Sequence, residues 1–67
     1  MYEIKCLDNY YELREMFVKG ERGNKDFFTR RLGIKLRTFY RLLNYLEKID
    51  GMIIKYDKSS DTYYWKS

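Results

Sequence analysis

The feature that most constrains this chain is a helix-length stretch with two unlike faces. At about 100° per residue, Leu36, Phe39, Leu42, Leu43, Leu46 and Ile49 fall on one side, an apolar stripe of the width that faces a core. On the other side, at spacings of four, three and four, lie Arg37, Arg41, Asn44 and Lys48. No acid interrupts that row. A helix so divided buries one face and offers the other to solvent or to a partner. The longer run from Phe27 to Ile49, FFTRRLGIKLRTFYRLLNYLEKI, predicts two short helices around a tight turn at Leu32-Gly33-Ile34, with glycine at the position where a helix end turns left-handed at least cost.

The polar row has a specific chemistry. Guanidinium forks match the acceptors of guanine in the major groove, the asparagine amide matches adenine, and lysine suits phosphate. Net charge is +4, and its distribution says more than its size. Residues 21–48 hold eight basic and three acidic groups, whereas 1–20 hold three and four, and 49–67 three of each. The basic excess therefore sits on the two-helix unit, the electrostatic footprint of a polyanion partner. The plain alternative is a solvated face with no partner.

Sixty-seven residues make one domain, which buries only about 60% of the surface its unfolded chain exposes. Eight Tyr, four Phe and one Trp supply the bulk of the core. The chain is too short for a cleft between subdomains. A lone Cys6 makes no internal disulfide and is read as an inert small side chain, and with no histidine a zinc site lacks its usual ligands. No Ser, Cys or Lys has an evident activating partner and no phosphate-loop motif is present, so an enzyme is not expected, and neither a metal nor a cofactor. With no apolar run near the ~18 residues of a membrane span and no signal peptide, the expectation is a soluble, cytoplasmic protein with no membrane partner.

Taken in order, Met1 to Cys6 alternates apolar and polar residues, which leaves a short strand and a loose arm both open. Asp8 or Asn9 is the expected N-cap of a first helix over residues 8–19, carrying Tyr10, Leu13, Met16 and Phe17 inward. Gly20 ends it, and residues 20–23 read as a connecting loop. Tyr11 and Val18 lie off the inward stripe as a candidate dimer contact. Asn24 caps a second helix over 24–32, anchored by Phe27, Phe28 and Leu32, with Arg30 and Arg31 exposed and within reach of phosphates. Ile34 plugs the angle between this helix and the next, over 35–49. Lys35 stands at the start of that third helix, where it neither caps nor suits the dipole; a phosphate there offsets both defects. Asp50-Gly51 breaks the helix. Two β-rich runs, 52–57 and 62–66, flank the turn composition Lys58-Ser59-Ser60-Asp61 and predict a hairpin. Alternation sets Ile54 and Tyr56 on one face, with Tyr63 and Trp65 as partners toward the core.

The segment RRLGIKLRTFYRLLNYLE, from Arg30 to Glu47, resembles the type 11 winged-helix family, which includes the N-terminal domains of DeoR-like and WYL-domain transcriptional regulators. The family's run is a Leu-Gly-Val/Ile turn, then Ser-x-Arg-Thr-Val/Ile-Tyr-Arg, then a leucine-spaced helix and a Tyr-rich hairpin. Leu32, Gly33, Ile34, Arg37, Thr38, Phe39, Tyr40 and Arg41 match it, and the likeness extends over about residues 10 to 66. It implies a winged helix-turn-helix and DNA contacts from Arg37, Thr38, Tyr40 and Arg41. Lys35 departs from the usual Ser cap, which alters a phosphate contact. No sensor or WYL-type domain follows in this sequence, so any ligand response is expected from elsewhere.

The expectation is thus a mainly α domain with a small β-hairpin, three helices plus a two-stranded wing. Its partner is double-stranded DNA, contacted by Lys35, Arg37, Thr38, Tyr40, Arg41, Asn44, Lys48, Lys58 and Ser59. Thr38 and Tyr40 serve equally well as cap and flank of the helix, and Asn44 and Lys48 lie where a recognition helix often leaves the groove. Because one such helix reads only a short site, a homodimer or partner subunit is implied by binding physics. The role is a small transcriptional regulator. Two other readings stand beside it: an assembly module that binds protein through the wing, and a DNA-binding accessory factor of a mobile element.

Overall fold

The computed structural model describes residues 7–66, so the readings of Met1 to Cys6 lie outside the described residues. Three helices are followed by a hairpin: α1 (Leu7–Val18), α2 (Lys25–Leu32), α3 (Leu36–Asp50), β1 (Ile54–Asp57) and β2 (Thr62–Trp65). The two strands are antiparallel, pairing Ile54 with Trp65, Lys55 with Tyr64, Tyr56 with Tyr63 and Asp57 with Thr62. None of the described helices is long and apolar enough to cross a membrane.

Local chemistry accounts for most boundaries. The Asn24 side chain accepts a hydrogen bond from the Phe27 backbone N–H at 2.8 Å and starts α2. Gly33, at φ 65° and ψ 37°, ends it: the Gly33 and Ile34 N–H groups return to the Arg30 and Thr29 carbonyls, the paired bonds that close a helix C-terminus. The second and third helices begin one residue later than expected, at Lys25 and Leu36, and two other starts shift for a physical reason. Helix α1 begins at Leu7, so Asp8 and Asn9 lie inside its first turn and neither is its cap; a carboxylate there gains from the helix dipole just as a cap does, which makes the two positions hard to separate by composition. Strand β1 begins at Ile54, not at residue 52, because Met52 is drawn into the core by an N–H bond to the Leu46 carbonyl.

The core lies where the three helices meet. It comprises Tyr10, Leu13, Met16 and Phe17 of α1, Phe28 and Leu32 of α2, Phe39, Leu42 and Leu46 of α3, and Met52. Phe28 is its centre, 4.9 Å from the Phe17 ring and stacked on Phe39 at 5.6 Å. Ile34, Tyr63 and Trp65 pack against this cluster from its edges. Five expected core positions are more open than their periodicity suggests. Leu36 and Ile49 sit at the two ends of α3 and overhang the core, Phe27 folds its ring edge-on against Phe28, Tyr56 is exposed, and Trp65 is half-buried. A helix of 15 residues is about 22 Å long, and a core of this size covers only its middle turns.

The loop before α2 contributes to the sheet. Gly23 and Tyr63 exchange both backbone hydrogen bonds, N–H to carbonyl at 3.4 Å and 2.7 Å, so one residue of this loop lies beside β2 as a third rung. A Cβ at Gly23 would stand 2.3 Å from the Phe27 ring and 2.9 Å from the Phe27 Cβ. Gly23→Ala is therefore expected to push Phe27 aside or break the bridge, lowering the melting temperature by several degrees, about 1–3 kcal/mol. An unchanged melt would show that the bridge does not matter.

One polar cluster ties α1 to the end of α3. The Tyr10 hydroxyl donates to Asp50, and Arg14 ion-pairs with the same carboxylate at 3.4 Å. Asp50 ends α3, where a negative charge opposes the helix dipole, and these two partners offset that conflict. Burial, then the bond to Asp50, pushes the Tyr10 phenol up to about 12. Tyr63 is pushed to about 12 by burial and the neighbouring Tyr40 hydroxyl. Both folded values exceed the ordinary 10.0, so folding holds these protons more tightly than the unfolded chain does. Their contribution is whole below pH 10 and is lost as pH rises through 12. Urea unfolding followed by circular dichroism should give constant stability from pH 7 to 9 and a steep fall above 10, and Tyr10→Phe should flatten that fall.

Candidate nucleic-acid interface

The sequence-predicted residues that the fold brings together are Arg37, Tyr40, Arg41 and Asn44. They project from one side of α3 into an open groove of about 550 Å³ between that helix and the hairpin. Leu43, Ile54 and Tyr63 form its apolar floor. Arg37 and Arg41, one helical turn apart, are exposed and take part in no ion pair among the described residues. Two exposed guanidiniums beside an exposed phenol can fork onto paired acceptors or hold a phosphodiester.

Glu47 lies in the same groove, which corrects the acid-free reading of this face. Three residues past Asn44, it extends the groove-facing line to one side of Lys48. The groove therefore runs from a cationic end at Arg37 and Arg41 to an anionic end at Glu47. The spacing of three from Asn44 was the signal that could have found it.

The remaining candidates lie around the groove. Lys35 is the N-cap residue of α3 and makes no side-chain capping bond, so the amides of the first turn lack that partner. Thr38 is half-buried in that turn, and Lys48 is exposed near the other end of the helix. Of the other two arginines expected to reach phosphates, Arg30 is exposed, whereas Arg31 pairs with Glu21 at 3.5 Å.

Lys58 and Ser59 stand at the hairpin tip, separate from the groove. Asp57 accepts the Ser59 N–H at 3.0 Å and the Ser59 hydroxyl at 2.7 Å, and these bonds hold its carboxyl below the usual carboxylate range. Asp61, at φ 51°, accepts the Tyr56 hydroxyl at 2.6 Å. Ser59 thus shapes the turn, and Lys58 follows Asp57 directly and precedes Asp61 by three residues. Local bonding of this kind is legible only once the turn has closed.

No family model, curated protein or solved structure matches this chain.

Proposed function

We propose that this protein binds double-stranded DNA sequence-specifically as a winged helix, with α3 in the major groove and the hairpin as wing, and that it acts as a small transcriptional regulator. The observation that carries the proposal is the exposed set Arg37, Tyr40, Arg41 and Asn44 beside one groove, with both arginines unpaired among the described residues. Arg37 and Arg41 read guanine edges, Asn44 reads adenine, and Tyr40 and Thr38 fix the helix on the backbone. Lys35 brings a phosphate to the uncapped start of α3, while Lys48 supports the backbone further along. The resemblance to type 11 winged helices implies DNA contacts from Arg37, Thr38, Tyr40 and Arg41, which supports the same reading. Two copies on adjacent half-sites supply the affinity that one short site lacks.

Selection of duplexes from a random pool tests this directly, because it returns the bound sequence and any half-site spacing together. Enrichment of a motif with guanines at the Arg positions is the expected result. No enrichment, with no binding even at low salt, would overturn the proposal in favour of a protein-assembly module.

The tip makes a smaller contribution. With Ser59 engaged by Asp57, only Lys58 is free to meet phosphate, and Asp57 and Asp61 weaken its field. Lys58→Ala should lower affinity on specific and random DNA alike and reduce the salt slope by about one or less. Anisotropy titrations at several salt concentrations measure this. A sequence-selective loss would mean that the tip reads bases.

A further inference from the structure

The strand β1 has one edge without a partner strand among the described residues. Its pattern follows from Tyr63, whose N–H and carbonyl are both engaged by Gly23 on the far side of β2. Tyr56 and Tyr63 are therefore a non-hydrogen-bonded pair, because antiparallel pairs alternate in kind. The next such pair is Ile54 with Trp65. The backbone groups of Ile54 and Tyr56 accordingly point away from β2, toward open solvent. Tyr56 is exposed on the face it shares with Ile54, and the other face presents Ile53, Lys55 and Asp57, all exposed. An exposed edge with apolar side chains is a template for another strand.

We propose that the edge of β1 pairs antiparallel with the same edge of a second copy of this chain, joining two hairpins into one continuous sheet. Hydrogen-bond parity and charge together select the register. Registers that set the outward-facing Ile54 and Tyr56 of one copy against the even-numbered residues of the other align outward-facing groups with outward-facing groups. The one with Ile54 opposite the partner's Ile54 drops out, because it carries Tyr56 beyond the strand to the partner's Met52, which is buried in the core. Of the others, one places Lys55 opposite the partner's Lys55, and another places Asp57 opposite the partner's Asp57. Like charges directly opposite are destabilising. The remaining register sets Tyr56 against the partner's Tyr56 on a twofold axis. Lys55 then faces the partner's Asp57, and Asp57 the partner's Lys55, so both ion pairs form at once. The Asp57 carboxylate is held at the start of the turn by the Ser59 N–H and hydroxyl, on the exposed face that meets the partner's Lys55. A self-complementary patch is what a twofold dimer requires. Short edges bury little area, so the dimer is weak in isolation.

The test needs no DNA, so its failure leaves the DNA-binding proposal standing, and the reverse also holds. Sedimentation of wild-type protein from about 10 μM to 1 mM should show monomer giving way to dimer, the range suited to an interface at the small end. Lys55→Glu alone places acid against acid, and Asp57→Lys alone places lysine against lysine; each should remain monomeric. Their equimolar mixture restores both ion pairs and should dimerise at least as well as wild type. Asp57→Lys also removes the bond to Ser59, so wild-type amide exchange provides a second readout. The Ile54 and Tyr56 amides should exchange several-fold more slowly at 1 mM than at 10 μM, whereas the Lys55 amide, bonded to β2, should not change. Wild type that stays monomeric, a dimer indifferent to Lys55→Glu, or Tyr56 exchange independent of concentration would each overturn the inference.

Discussion

Arg37→Ala and Arg41→Ala are each expected to weaken binding to the selected duplex by about 1–3 kcal/mol, roughly 5- to 150-fold in Kd. Loss on random duplex should be much smaller. The difference arises because a bidentate fork onto guanine carries discrimination, whereas a phosphate contact is indifferent to sequence. Both side chains are exposed and outside the core, so the folded state should survive either truncation and binding can be measured on intact protein. Lysine at either position keeps the charge and loses the planar fork. Arg37→Lys and Arg41→Lys should therefore retain random-duplex affinity while losing preference for guanine. Equal losses on both duplexes for the alanine variants would assign the arginines to phosphate alone. Asn44 and Glu47 extend the comparison along the groove: Glu47→Gln removes the anion at its far end and should raise random-duplex affinity.

Much of this arrangement was legible because a few residues act locally. Asn24 and Gly33 bound α2 by bonds to their immediate neighbours. The 3.6-residue period of Phe39, Leu42 and Leu46 fixed the buried side of α3, and through it the side left for Arg37 and Arg41. The hairpin register follows from strand composition on both sides of a turn-rich tetrapeptide. Periodicity has no sense of where a core ends, however, so Leu36 and Ile49 joined the stripe although they overhang it. Glu47 escapes the helical pattern because the row from Arg37 to Lys48 defines the polar axis, while the groove is set by the position of the hairpin. The Gly23–Tyr63 bridge and the Asp50 cluster join residues 40 apart in sequence. Contacts of that separation depend on how the elements assemble, and no local pattern announces them.

The largest effect on stability is expected at Phe28. Its ring is fully buried and meets Phe17, Phe27 and Phe39 at 4.9, 5.1 and 5.6 Å, so it links α1 and α3 through α2. Truncating such a ring costs about 3–5 kcal/mol, from lost burial and from the cavity left behind. At about 0.05–0.15 kcal/mol per residue, a domain of 67 residues has only roughly 3–10 kcal/mol in total. Phe28→Ala should therefore leave a large unfolded fraction at room temperature, and Phe28→Leu, which keeps most of the apolar volume, should shift the melt less. Trp65 is the instructive contrast. Its size suggests a core anchor, but it is half-buried at the sheet's edge, and Trp65→Ala should cost about 1–3 kcal/mol. Urea titrations followed by far-ultraviolet circular dichroism compare the two, since indole fluorescence disappears in one variant. If Trp65→Ala destabilised the domain more than Phe28→Ala, its packing would centre on the hairpin and not on the three-helix junction.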